Sequence, residues 1–339
     1  MTGPLLLGDI EFLNSWPVTY ALRAGILGPS RDFPVTLSLS KGPPAELNRR
    51  LLAGELDASA VSSVIYLRHQ EELVPVPGLC IRSDSGVHSV LVVSRQPLST
   101  LKGRTLGVSN QGATTPVLLK LVAKQRQLKI NLEVTPLRYP EILNEYPAAL
   151  LIGDEALQAS DRGGTFLAAE EMPRRRGAAA QSADRLQWWD LGEAWTSWTR
   201  LPFVYSLWVM RREAVERDPQ ALETLRRALE ASHRWGKTHQ AELIGLMRRV
   251  YPFEANFLRA YLQALSYELD AKAWAGLSRF AREAEAAGEL PRGTAKKLGC
   301  IRPLSPSRKR GSKPLEKDFG SGFVDSRLRG NDAYCGHCS

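Results

Sequence analysis

Apolar and polar positions alternate with two different periods along this chain, and the switches between them lay out its elements. "LLLGDIEFL" reads as a strand, with Ile10 and Phe12 alternating with Asp9 and Glu11. "WPVTYALRAG" follows as a short helix stopped by Gly25. "FPVTLSLS" has the period of two and the β-branched content of a second strand. "PPAELNRRLLAGEL" is a helix, with Pro44 suited to its first turn and Gly54 to its end. "DASAVSS" reads as a short strand and loop and "VIYLRHQEEL" as a helix, while "VPVPGLCIRS" and "HSVLVVSR" read as two adjacent strands. This alternation predicts an α/β unit with a largely parallel sheet.

A second α/β unit is expected from about Pro97. Its strands are "GRTLGVS", "INLEVTPL" and "AALLIGDEAL", and its helix follows "SNQGATT". The stretch 160–200 is aromatic and reads as irregular, and "LPFVYSLWVMRRE" then returns as a strong strand. From Asp218, an N-cap followed by Pro219, the pattern is helical to about Leu290. It buries aromatics such as Trp235, Phe257, Tyr261, Trp274 and Phe280, and packing layers are expected rather than a separate bundle. The chain would cross between units near Ser94 and return near Val204. That assigns 1–94 and 204–300 to one lobe and 95–203 to the other, with a cleft between them. Residues 304–339 are rich in Gly, Ser, Pro and charge and read as a disordered appendage.

Charge changes this picture little. The formal net charge is +9, but "PRRRGAAAQSADR" and the segment after Pro303 carry +6 of it. No basic stripe interleaved with aromatics remains, so a nucleic-acid partner is not expected. Apolar runs such as "FVYSLWVM" are too short to span a bilayer, and the first residues lack a basic n-region. No membrane partner is expected, and the cytoplasm is the expected location. The chain has 4 cysteines. Cys80 sits in an apolar run, and "CGHC" at 335–338 supplies too few ligands for a closed metal site.

The candidate chemistry lies in five polar loops at strand ends: "LNS" (13–15), "VSS" (61–63), "SDSGVHS" (83–89), "SNQGATT" (109–115) and "IGD" (152–154). Each offers hydroxyls and backbone N–H groups, and those that precede helices add a dipole that favours anions. Any one of them also serves as an ordinary cap or turn. Phosphate-binding, dinucleotide, nucleophile-elbow and H-E-x-x-H motifs are absent, so nucleotide, flavin, metal and acyl-enzyme chemistry lack their usual residues. His88 is the one histidine among the loops, and packing is its simplest role.

"IEFLNSWPVTYAL", "PAELNRRLLAGELDASAVSSVIYLR", "GVHSVLVVSRQPL", "ALLIGDEAL" and "WDLGEAWTSWTRLPFVYSLWVMRRE" resemble, in order and spacing, the chorismate dehydratase family of the futalosine route to menaquinone. The similarity spans roughly residues 5–295. "PRRRGAAAQSA" looks like a local insertion, and the tail lies outside the match. The resemblance implies a two-lobed, type II periplasmic-binding-protein-like fold with a hinge cleft and a C-terminal helical layer. It also implies a cofactor-free and metal-free hydro-lyase that turns chorismate into 3-[(1-carboxyvinyl)oxy]benzoate.

Within that family the Asn of the "LN" motif and the Ser before the "V-x-V-S" strand form the catalytic pair, which the resemblance puts at Asn14 and Ser89. Neutral donors suit a dianion whose hydroxyl must leave, whereas a carboxylate at position 14 would repel it. Ser62, Ser63, Thr114 and Thr115 are the expected carboxylate anchors, and Gly86 and Gly153 complete the substrate-binding set. Neither Asn14 nor Ser89 is basic. The base is therefore either the substrate's own enolpyruvyl carboxylate or Asp154, which equally suits a helix cap. Trp188, Trp189, Trp195 and Trp198 are expected to pack the interlobe wall. The alternatives are 1,4-dihydroxy-6-naphthoate synthase, of the same fold and pathway, and a non-catalytic solute-binding or sensor protein.

Overall fold

Two β-sheets, each flanked by helices, carry the chain in a computed structural model that describes residues 4–27, 37–109, 112–162 and 186–300. The strands are β1 (Leu5–Asp9), β2 (Leu37–Lys41), β3 (Ala58–Ser62), β4 (Leu73–Ser83), β5 (Val90–Ser94), β6 (Thr105–Ser109), β7 (Asn131–Thr135), β8 (Ala148–Ile152), β9 (Gln187–Asp190), β10 (Phe203–Arg211) and β11 (Ser266–Leu269). The first helices are α1 (Trp16–Arg23), α2 (Pro44–Leu52), α3 (Ser63–Arg68), α4 (Thr114–Gln125), α5 (Ile142–Glu145), α6 (Asp154–Arg162) and α7 (Leu191–Thr199). The C-terminal layer comprises α8 (Arg212–Arg217), α9 (Pro219–Thr238), α10 (Gln240–Met247), α11 (Ala255–Ala264), α12 (Ala271–Ala286) and α13 (Thr294–Cys300).

One sheet has six strands in the order β11-β4-β10-β3-β1-β2, and the other has five in the order β7-β6-β8-β5-β9. The second sheet is sandwiched by helices, and its central strands β5 and β8 are buried along their whole length. The chain passes between sheets twice, through 84–89 after β4 and through 200–202 before β10. No helix among the described residues is long and apolar enough to cross a membrane.

Three expectations change. The first sheet is mixed rather than largely parallel: β1 pairs parallel with β2 and β3, but β10 runs antiparallel to both β3 and β4, and β11 antiparallel to β4. The reversal follows from connectivity, because β10 returns from the second lobe and inserts between two strands laid down before the crossing. "VPVPGLCIRS" and "HSVLVVSR" are not neighbours: β4 belongs to the six-stranded sheet, whereas β5 pairs with β8 and β9 in the other. The lobe boundary expected at Ser94 therefore lies before Val90. Within the stretch expected to be irregular, 187–199 forms β9 and α7. The basic insertion, the "CGHC" motif and the tail from 304 lie outside the described residues.

The C-terminal helices pack on the six-stranded lobe, as their amphipathic pattern predicts. Asp218 caps α9 by accepting the Gln220 N–H at 3.0 Å, and Asp270 caps α12 by accepting that of Ala273 at 2.8 Å. Gly236 of α9 lies so close to the Pro17 carbonyl of α1 that any Cβ would collide with it. The N-terminal helix is thus fixed against the C-terminal layer beside the entry to the cleft.

Candidate active site

Between the two sheets lies a cavity of about 420 Å³ lined by Asn14, Ser62, Ser89, Thr114, Thr115 and Gly153, together with apolar residues such as Ile10, Phe12 and Ile152. These polar residues come from both lobes and lie far apart in sequence. No charged side chain among the described residues lines the space. The N-terminal ends of α1, α2, α4 and α6 all reach its wall, through Asn14 and Ser15, Pro44 and Ala45, Thr114 and Thr115, and Gly153. Polar character here comes from hydroxyls, amides and helix ends.

Asn14 is the middle residue of a 3₁₀ turn, Leu13–Ser15. The turn is locked on every side. The Ser15 hydroxyl lies 2.5 Å from the Ile10 carbonyl and 2.8 Å from that of Phe12. Upstream, the fully buried Asp9 takes a two-pronged contact from Arg23 at 2.6 and 2.8 Å, which fastens β1 to α1. The Tyr267 hydroxyl donates to the Asn14 carbonyl at 2.9 Å. The backbone of Asn14 is held from behind while its residue lines the cavity.

Ser89 precedes β5 and is 4% exposed. Its carbonyl accepts the Gly153 N–H at 2.8 Å, and Gly153 adopts a positive φ of 64° there. The segment before it is organised by Asp190. One carboxylate oxygen accepts the N–H groups of Val87 and His88 at 2.8 and 2.7 Å, and the other accepts those of Gly192 and Glu193 at 2.8 and 3.1 Å. One side chain thus caps α7 and fastens the interlobe connector. His88 takes a left-handed φ of 58°, and burial lowers its pKa against the opposing pull of Asp190 and Glu193.

Three residues expected in the site serve elsewhere, and a fourth has a second task. The Ser63 hydroxyl donates to the Val204 carbonyl at 2.6 Å and ties α3 to β10. Gly86 packs against Asp190, where a Cβ would meet the carboxylate at 3.3 Å. Asp154 does not line the cavity. It is largely buried at the start of α6, and desolvation raises its pKa to about 6 against the weaker opposing influence of the Leu13 N–H. One of its oxygens has no hydrogen-bond partner among the described residues. Thr114 does reach the cavity, but its hydroxyl oxygen accepts the Val64 N–H at 2.9 Å. Ser62 and Thr115, by contrast, have buried hydroxyls with no partner among the described residues, so both are available to a ligand.

Sequence reasoning missed Asn48, whose side-chain oxygen is buried without a partner among the described residues and which lines the cavity from α2. Its signal was available, since Asn48 lies three residues after Ala45, beside the buried stripe of Leu47 and Leu51. Tyr205 also lines the wall, though its hydroxyl is engaged with Ser83 at 3.0 Å. The four tryptophans do not line the cavity. Trp195 is fully buried, donates to the Pro202 carbonyl at 3.2 Å and packs edge-on against Phe203 and Phe280, where the chain re-enters the first lobe.

A family model described as menaquinone biosynthesis matches residues 5–286. A chorismate dehydratase of Thermus thermophilus is 32% identical over 278 residues, which is 82% of this chain and 94% of that protein. Among solved structures, a protein of Archaeoglobus fulgidus superposes with a TM-score of 0.65 at 19% identity, covering 84% of this chain and 98% of the other. The periplasmic aliphatic sulphonate binding protein of Escherichia coli gives 0.61 at 13% identity, covering 98% and 99%. At such identities the two structures establish the fold, that of periplasmic binding proteins.

Proposed function

The chain belongs to the menaquinone biosynthesis family, and from that premise we propose that it is a chorismate dehydratase, a carbon–oxygen lyase working in the cytoplasm. The observation that carries the reading is the meeting of Asn14 and Ser89 in one uncharged interlobe cavity. Chorismate brings two carboxylates, a ring hydroxyl and an adjacent ring C–H. Breaking the C–H and C–O bonds releases water and leaves an aromatic ring in 3-[(1-carboxyvinyl)oxy]benzoate. Aromatisation drives the step downhill, so the reading assigns no task to a metal or coenzyme.

The protein must orient the dianion and ease the departure of a poor leaving group. Asn14 and Ser89 donate to the leaving hydroxyl, and they stabilise the charge that develops on it without placing a permanent charge beside the carboxylates. The helix ends and the free hydroxyls of Ser62 and Thr115 hold the carboxylates. The side-chain amide of Asn48 adds another polar group to the same wall. The ring proton goes to the substrate's own enolpyruvyl carboxylate. The placement of Asp154 outside the lining supports this choice over a protein base.

The test is incubation of the purified chain with chorismate alone. The aromatic enol ether should accumulate as chorismate disappears. Its absence would overturn the reading.

A further inference from the structure

Three buried side-chain atoms of the cavity lining have no partner among the described residues: the hydroxyls of Ser62 and Thr115 and the amide oxygen of Asn48. The two hydroxyls can donate to a carboxylate. The Asn48 Oδ1 can only accept, and a carboxylate set against it would face one acceptor with another. We propose that Asn48 takes the hydrogen of the substrate's ring hydroxyl and so selects a ligand that still carries the group to be eliminated. The inference rests on the dehydratase reading above.

Helix and sheet together place this residue. Pro44, Ala45 and Asn48 all line the cavity, and spacings of three and four residues put them on one face of α2. Leu47 and Leu51, on the adjoining face, are fully buried, so the helix cannot turn Asn48 away without exposing them. Asp9 of β1 pairs in register with Lys41 of β2, and Lys41 reaches Glu11 at 3.0 Å. The start of α2 therefore lies beside the segment that leads to Asn14, in the same lobe. An asparagine gains little inside a helix unless its amide is used. Here the buried oxygen has no donor from the described residues, which costs stability until a ligand supplies one.

The chemistry of the ligand narrows the choice. The carboxylate and ether oxygens of chorismate are all acceptors, and its ring hydroxyl is the single donor. Ser62, Thr115 and the helix ends already answer the carboxylates, so the acceptor on Asn48 matches the hydroxyl. With its hydrogen committed to Asn48, the hydroxyl oxygen turns its lone pairs toward Asn14 and Ser89. The product has lost that hydroxyl and leaves Asn48 unpaired again, which favours its release.

The experiment compares two ligands by calorimetry in a Ser89→Ala background, where chorismate binds without turnover. Adding Asn48→Ala should weaken chorismate about three- to tenfold. Binding of 3-[(1-carboxyvinyl)oxy]benzoate, which lacks the hydroxyl, should stay within about twofold. Equal losses for both ligands in a variant with the parent's urea midpoint, or no loss for either, would overturn the proposal. A ligand-side arm leaves Asn48 in place. The methyl ether of the chorismate ring hydroxyl should bind the Ser89→Ala chain at least about threefold more weakly than chorismate. Ether binding as tight as that of chorismate would overturn the proposal even if the Asn48 variant failed to fold. If the unaltered chain neither binds nor consumes chorismate, the dehydratase reading itself falls. If it consumes chorismate while both ligands lose equally, only the assignment of Asn48 falls.

Discussion

Val64 and Thr114 are joined across the cleft: the N–H in the first turn of α3 donates to the threonine hydroxyl in the first turn of α4 at 2.9 Å. The bond clasps the two lobes at the cavity wall. A second tie, Lys120 to Glu289 at 2.8 Å, is more exposed, so screening leaves it little energy. Thr114→Val keeps the shape but leaves the buried Val64 N–H unpaired, at a cost of about 1–2 kcal/mol to the closed form. Steady-state kinetics with chorismate should show KM rising by roughly tenfold and kcat falling less.

Ser89 and Thr115 both line the cavity, but their surroundings give them different tasks. Ser89→Ala removes the donor to the leaving group and should abolish dehydration while chorismate still binds. Thr115→Ala removes a partnerless hydroxyl and should weaken binding, with KM raised about three- to tenfold. Turnover and calorimetric binding on each variant separate the two roles, and the reverse pattern would exchange them.

Asp154 links the site to pH. The folded chain keeps this proton up to about pH 6, whereas an unfolded aspartate releases it near 3.8. The folded state therefore binds more protons in that window, and the residue's contribution to stability falls as pH rises through it. Asp154→Asn removes this loss. Urea denaturation should find the variant more stable than the parent by about 1–3 kcal/mol at pH 7, with the difference closing below about pH 4. Turnover should survive the substitution, and its loss with chorismate binding unchanged would make Asp154 the base.

Asp190 holds the connector that carries Ser89 through the N–H groups of Val87 and His88, and caps α7 through those of Gly192 and Glu193. Asp190→Ala leaves these donors without their acceptor and should cost about 2–4 kcal/mol in urea unfolding. The 84–89 segment would also lose its anchor, so kcat should fall together with stability. A variant with full activity and unchanged stability would show that other contacts fix the segment.

The local pattern determined a good deal by itself. The Pro44 helix start and the Asp218 cap are written in neighbouring residues and appear where the pattern puts them, whereas the alternation of Ile10 and Phe12 with acids lies past the end of β1 at Asp9. The motifs also led to Asn14, Ser62, Ser89, Thr114, Thr115 and Gly153, all of which line one cavity. What the pattern could not carry is pairing between distant segments. A strand's period says which face is buried but not which neighbour it takes or in which direction, so neither the pairing of β5 with β8 and β9 nor the antiparallel insertion of β10 is legible in it. The same holds for hydroxyls. Ser62 and Ser63 are adjacent in sequence, yet only the tertiary structure brings the Val204 carbonyl to one and leaves the other unpartnered for a ligand. Residue type sets what a side chain is able to bond, and the packing of remote elements decides what it bonds.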